Sequence, residues 1–135
     1  MTMSRPRDIG DSAATINYID NVTSDVQTQL DNKGYINIPA NGPKTSSYTL
    51  QTSDVGKYIE VGSGGSITIP DSVFSAGDVV SIVNNTTGDI TITCSITTAY
   101  KGGANTDEAT ITLATRGIAT VLFISSTVCI VNGNI

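Results

Sequence analysis

Between Asp89 and Ile96 the chain reads Asp-Ile-Thr-Ile-Thr-Cys-Ser-Ile, and polar and apolar positions alternate without exception. Ile90, Ile92, Cys94 and Ile96 fall on one side; Thr91, Thr93 and Ser95 fall on the other. A period of two is the pattern of a strand with one buried and one solvated face, the usual arrangement in an antiparallel sheet. The runs Val79-Val-Ser-Ile-Val83 and Ile118-Ala-Thr-Val-Leu-Phe-Ile124 are apolar on both faces and read as interior strands of the same β block.

The rest of that block follows from its punctuation. Tyr48-Thr-Leu50 precedes the turn Ser53-Asp-Val-Gly56, and Lys57-Tyr-Ile-Glu-Val61 follows it. Gly62-Ser-Gly-Gly65 offers a hairpin connection into Ser66-Ile-Thr-Ile69, which Pro70 stops. Asp71–Gly77 forms a longer corner, expected to be a helical turn in which Val73 and Phe74 plug the end of the core. Asn84-Asn-Thr-Thr-Gly-Asp89 is a turn, and Lys101-Gly-Gly-Ala-Asn-Thr-Asp-Glu108 reads as the most exposed loop. Thr110–Leu113 is a further strand, Arg116-Gly117 a turn, and Ile118–Ile124 with Val128–Val131 a closing hairpin. About eight short strands at this turn density predict a mainly β domain over residues 48–135, an antiparallel β-sandwich or jelly-roll-like fold.

Ahead of it, residues 35–47 read as a linker, because Pro39-Ala-Asn-Gly-Pro43 discourages a strand. Residues 12–34 are the one helical segment: Ile16, Ile19, Val22, Val26 and Leu30 recur at spacings of three and four. Ser24-Asp-Val-Gln27 matches a capping box and Gly34 a helix stop. Self-association along this stripe is preferred over packing on the β block, and a stripe so short needs the β domain to share the interface. Residues 1–11 read either as a frayed terminus or as a docking arm, with Arg5 and Arg7 for an acidic partner and Ile9 as its apolar anchor.

Composition narrows the chemistry. Among 135 residues there are seven Lys and Arg and a net charge of −5, so the basic face that nucleic acid requires is missing. No histidine is present, which removes the usual general base, Ser-His-Asp and Cys-His arrangements and most zinc sites. No run reaches membrane-spanning length, and the start of the chain lacks the apolar stretch of a signal peptide, so synthesis in a cytoplasm is the reading. Asp54, Asp71, Asp78 and Asp89 all sit at turns, where Asp caps its own backbone. Asn105 with Asp107 and Glu108 fits no EF-hand spacing, and Cys94 and Cys129 read as buried, reduced thiols, with a disulfide open to them only if their strands are neighbours. No catalytic, cofactor-binding or metal site is expected, and the chain is not expected to be an enzyme.

Asn17-Tyr-Ile-Asp-Asn-Val-Thr-Ser-Asp-Val-Gln-Thr-Gln-Leu-Asp-Asn-Lys33 resembles a short trimerising helical element of tail-fibre and other surface proteins of marine tailed phages, cyanophages among them. The β block resembles C-terminal domains of structural proteins from such phages, through Tyr48-Thr-Leu50, Phe74-Ser-Ala-Gly-Asp-Val-Val-Ser-Ile82 and Thr112-Leu-Ala-Thr-Arg-Gly-Ile-Ala-Thr-Val-Leu122. The resemblance implies a homotrimeric, non-enzymatic virion protein at the virion surface, made in the host cytoplasm. With an arm, a helix, one β domain and no fibre shaft, the expected role is decoration or cement. The trimer would join through Ile16, Ile19, Val22, Val26 and Leu30 and through inner β faces. Its arm would seat it on the major capsid protein or another virion component. The alternative is a receptor-binding tail-fibre or whisker module meeting the host surface through Asn85, Thr86, Tyr100, Lys101 and Asn105. Neither nucleic acid nor membrane insertion is expected.

Overall fold

A chain that alternates strand by strand between two sheets defines this fold. A computed structural model describes Thr28 and residues 37–135. The arm 1–11, the helical segment 12–34 apart from Thr28, and with them Arg5, Arg7, Ile9, Ile16, Ile19, Val22, Val26 and Leu30, lie outside the described residues. Among the described residues there are ten strands: β1 Ala40–Lys44, β2 Ser47–Thr49, β3 Tyr58–Val61, β4 Ser66–Ile69, β5 Val79–Asn84, β6 Ile90–Cys94, β7 Thr98–Lys101, β8 Thr110–Leu113, β9 Ile118–Ser125 and β10 Val128–Gly133. Odd and even strands separate through β8. One sheet has the order β1-β3-β5-β9-β10-β7, the other β2-β4-β6-β8.

The fold is therefore mainly β in two sheets, as the turn density predicts, but the sheets are mixed and not antiparallel. β1, β3 and β5 run parallel, as do β2, β4 and β6 and the β10–β7 pair; β9 reverses against β5 and β10, and β8 against β6. Parallel neighbours need a crossover of a dozen or more residues. Here a strand in the facing sheet serves as that crossover, so no helix is required.

Gly62-Ser-Gly-Gly65 is consequently not a hairpin but an arch from β3 to β4, and Asn85–Asp89 is the equivalent arch from β5 to β6. Glycine is needed at position 65 because the arches stack: a Cβ there would meet the Lys44 carbonyl oxygen and lie 2.7 Å from Val61 Cγ1. β9–β10 is the true hairpin, as expected. The expected linker holds β1, whose Pro43 is tolerated because β1 is an edge strand. Asp71–Gly77 contains no helical turn; Phe74 is buried while Val73 is 40% exposed.

Inward residues of both sheets make one core, with Ile59, Val61, Val80, Ile82, Val121, Phe123 and Val131 facing Ile67, Ile69, Ile92, Ile111 and Leu113. β-Branched side chains fill it because they suit a pleated, half-buried surface. Phe74 closes one end, stacked on Phe123 with ring centroids 4.1 Å apart and planes at 17°.

Polar corners tie the layers. Buried Asn84 donates to the carbonyls of Gly88 (2.8 Å), Leu113 (3.2 Å) and Ala114 (2.9 Å), and its oxygen accepts from Thr86 N–H (3.0 Å) and Oγ1 (2.7 Å). Buried Asp54 accepts from Asn41 Nδ2 (2.7 Å), the Tyr48 hydroxyl (3.0 Å) and Gln51 N–H (2.8 Å). Asp54 and Asp78 cap their own turns, as read from the sequence. Asp71 and Asp89 instead reach to distant corners, accepting from the N–H and hydroxyl of Thr97 and Thr115 respectively. The Thr97 N–H, then the Ser72 and Thr97 hydroxyls, hold the Asp71 carboxyl below its usual range.

Candidate interaction faces

Strand alternation places every second residue of β5, β9 and β10 on the outside of the six-stranded sheet. There the register aligns Val79, Leu122, Ile130 and Tyr100 in one row across β5, β9, β10 and β7. Ile118, Leu122, Ile124 and Ile130 are 53%, 38%, 48% and 36% exposed. No outward residue of β5, β9 or β10 carries a charge. Isolated exposed aliphatics are ordinary, but adjacent ones on neighbouring strands form a patch of the kind that marks an interface. The inner β faces, expected from the sequence to join chains, are closed to that role because they bury one another within the chain.

The candidate contact loops are not level on this sheet: the register sets Tyr100 and Lys101 beside Val79 and Val80 at the start of β5, whereas Asn85 and Thr86 follow its end. Asn85 and Thr86 share the arch after β5; Tyr100 and Lys101 end β7, and Asn105 lies in the loop beyond. β9 and β10 also stand between the two groups, about 14 Å across at the usual strand spacing, so the loops do not converge. Asn85 is engaged, donating to Glu60 Oε1 (2.6 Å) and accepting from Arg116 Nη1. Thr86 is held by Asn84, and Lys101 faces Glu108 at 3.8 Å. Tyr100 is half-buried on the apolar row, away from the loop tip. Of the acids weighed with Asn105, Asp107 accepts from the Ala99 N–H at 2.8 Å.

Cys94 and Cys129 point into the core as free thiols. Burial, then the charges of Asp107 and Glu108, pushes Cys94 up to about 11; burial, then Cys94 and Asp107, pushes Cys129 up to about 12. Since the thiolate is the reactive form, native Cys94 is expected to react with a thiol reagent at pH 8 at least ~100-fold more slowly than in denaturant, and Cys129 more slowly still. Ellman titration with and without urea checks this, and comparable rates would refute it. Both folded values lie above the ordinary 9.0, so the thiols' stabilising effect is complete below pH 9 and is lost as pH rises through about 11 to 12. Tyr48, raised by burial and then by Asp54, adds to the same alkaline loss.

No protein-family model matches the chain, and neither the curated proteins nor the solved structures give a match. Among the described residues no helix is long and apolar enough to cross a membrane.

The sequence finds the interior strands but not the outward apolar row, because that row exists only once β5, β9, β10 and β7 are placed side by side. Alternation within β9 marks both of its faces as apolar; it does not say which remains uncovered.

Proposed function

We propose that this chain is a non-enzymatic structural protein of a phage virion, a homotrimer that decorates or cements the particle surface. The resemblance of residues 17–33 and of the β block to phage surface proteins supports the reading. The observation that carries it is the uncharged row Val79–Leu122–Ile130–Tyr100, with Ile124 beside it, on the outside of the six-stranded sheet. Further copies of the same chain are the occupants this face fits: three such uncharged apolar faces turned toward a common three-fold axis each gain by desolvation.

Light scattering coupled to size exclusion tests it. The wild-type chain is expected at three times the chain mass, and the Leu122→Glu/Ile130→Glu double variant at the mass of one chain with an unchanged far-ultraviolet circular dichroism spectrum. Both substituted side chains point outward, so the core stays intact. A monomeric wild type would overturn the trimer. Quantitative mass spectrometry of purified virions, expected to give a copy number comparable to the shell protein, tests the location.

A further inference from the structure

The outside of the four-stranded sheet differs in kind. Every outward position on β2, β4, β6 and β8 is serine or threonine: Ser47 and Thr49, Ser66 and Thr68, Thr91 and Thr93, Thr110 and Thr112. The register sets them in two ranks of four, Ser47–Ser66–Thr91–Thr112 and Thr49–Thr68–Thr93–Thr110. Threonine suits any exposed strand, yet the other sheet's outer face mixes Tyr58, Glu60, Val79, Ile118, Leu122 and Asn132. Strand preference alone does not make one face uniform and leave the other mixed.

The eight hydroxyls share a second property: none has a side-chain hydrogen-bond partner among the described residues, whereas the corner hydroxyls of Thr86, Thr97 and Thr115 are all engaged. Beside the middle of the first rank, where β4 and β6 begin, the sheet opens into a groove of about 400 Å³ between the two stacked arches. Ser66 and Thr91 belong to both rank and groove; Ser63, Thr86, Thr87 and Asp89 line the remainder, with glycine backbone between them. Concave shape and unspent hydroxyls thus meet at one place.

We propose that this face and its groove bind an extended neutral polysaccharide, laid across the strands with about one sugar ring per strand. Strands lie ~4.8 Å apart, close to the rise of one ring in an extended glycan, and the ranks are separated by roughly 7 Å, comparable to the width of a ring with its hydroxyls. The ranks carry no charge and the one ionisable residue in the groove is the acid Asp89, so neutral chains are favoured over anionic ones. A single Ser or Thr hydroxyl gains little by exchanging water for sugar, so affinity depends on repeat matched to repeat. Threonine methyls supply apolar contact for sugar C–H groups where no aromatic ring is present. The inference does not rest on the virion reading; if the chains also associate, copies of the face act together and binding tightens by avidity.

Titration of the ¹⁵N-labelled full chain with cellohexaose, laminarihexaose and isomaltohexaose, against a heparin hexasaccharide, tests the proposal. At least one neutral hexasaccharide is expected to give saturable amide shifts at Ser66, Thr68, Thr91 and Thr93 and along the groove, and the heparin fragment none. Thr68→Val/Thr93→Val removes two hydroxyls at constant shape and is expected to weaken binding about tenfold, while Thr120→Val on the other sheet leaves it unchanged. The proposal is overturned by a Val pair that binds like wild type, by shifts confined to the apolar face, or by none with any neutral sugar. Arrest of ice-crystal growth without sugar shifts would likewise overturn it, assigning the ranks to ordered water. Light scattering on the same samples reads the oligomeric state separately, so failure of the trimer and failure of sugar binding are distinguishable.

Discussion

Replacing Asn84 with leucine is expected to lower the stability of the fold by about 3–5 kcal/mol. The amide is fully buried and donates to three carbonyls from two different corners, Gly88 in one and Leu113 and Ala114 in the other. Leucine is close to its size but removes a donor from all three carbonyls and the acceptor of the Thr86 N–H. Gly88 keeps only the Thr86 hydroxyl and Ala114 only the Gly117 N–H. Each buried group left unsatisfied costs about 1–3 kcal/mol when water cannot replace the bond. Urea unfolding measures the change, with the midpoint shifting and the slope unchanged. A loss under ~1 kcal/mol would mean that water enters the corner and satisfies the carbonyls. Asn84→Asp sharpens the test. An ionised carboxylate would face three carbonyl oxygens, so its folded pKa should rise above the unfolded value. The variant should therefore be least stable at neutral pH and regain stability as pH falls and the acid becomes a donor.

Phe123→Ala is expected to cost a similar ~3–5 kcal/mol, through lost burial and the cavity left behind. Phe123 is fully buried and stacks on Phe74, the residue through which the Asp71–Gly77 corner seals the core. The corner is also held by backbone bonds from Gly77 N–H to the Phe123 carbonyl (2.8 Å) and from Phe123 N–H to the Asp78 carbonyl (2.9 Å). Removal of the ring should free Phe74 and raise amide exchange at Gly77, whereas exchange at Asn84, at the opposite end of β5, should rise only with global unfolding. Phe123→Leu should recover more than half of the loss. Equal destabilisation by Ala and Leu would show that ring stacking, and not volume, holds the corner.

What the sequence discloses here follows from range. Alternation in Ile90–Ile96 fixes which side of β6 is buried, and Ile90, Ile92 and Ile96 are buried as expected, because side-chain direction along a strand is a local property. The turns are legible for the same reason. Which strand follows a turn into which sheet is not local: Gly62-Ser-Gly-Gly65 satisfies a hairpin and an arch equally well, and the choice depends on stacking against Lys44 and Val61. β1 escapes because Pro43 argues against a strand everywhere except at an edge, and the edge is a property of the finished sheet. The caps by Asp71 and Asp89 join corners far apart in the chain. The hydroxyl ranks combine both levels: Thr91 and Thr93 are visibly outward in their own strand, but their alignment with Ser66, Thr68, Thr110 and Thr112 requires the pairing.

From β1 to β6 the chain completes three similar windings, each adding one rung to either sheet. In such an arrangement each winding touches only its neighbours, as in linear repeat arrays, so the number of windings is free to change while the contacts within each stay the same. The reversals at β8 and β9 terminate growth on one side; on the other, the proline of β1 and the three-residue length of β2 blunt the open rungs against stray strand addition. Tandem duplication of residues 58–78 would insert one winding between these two ends and lengthen each hydroxyl rank from four positions to five. The domain is in that sense a molecular ruler, whose reach along a repetitive surface is written in the count of its turns.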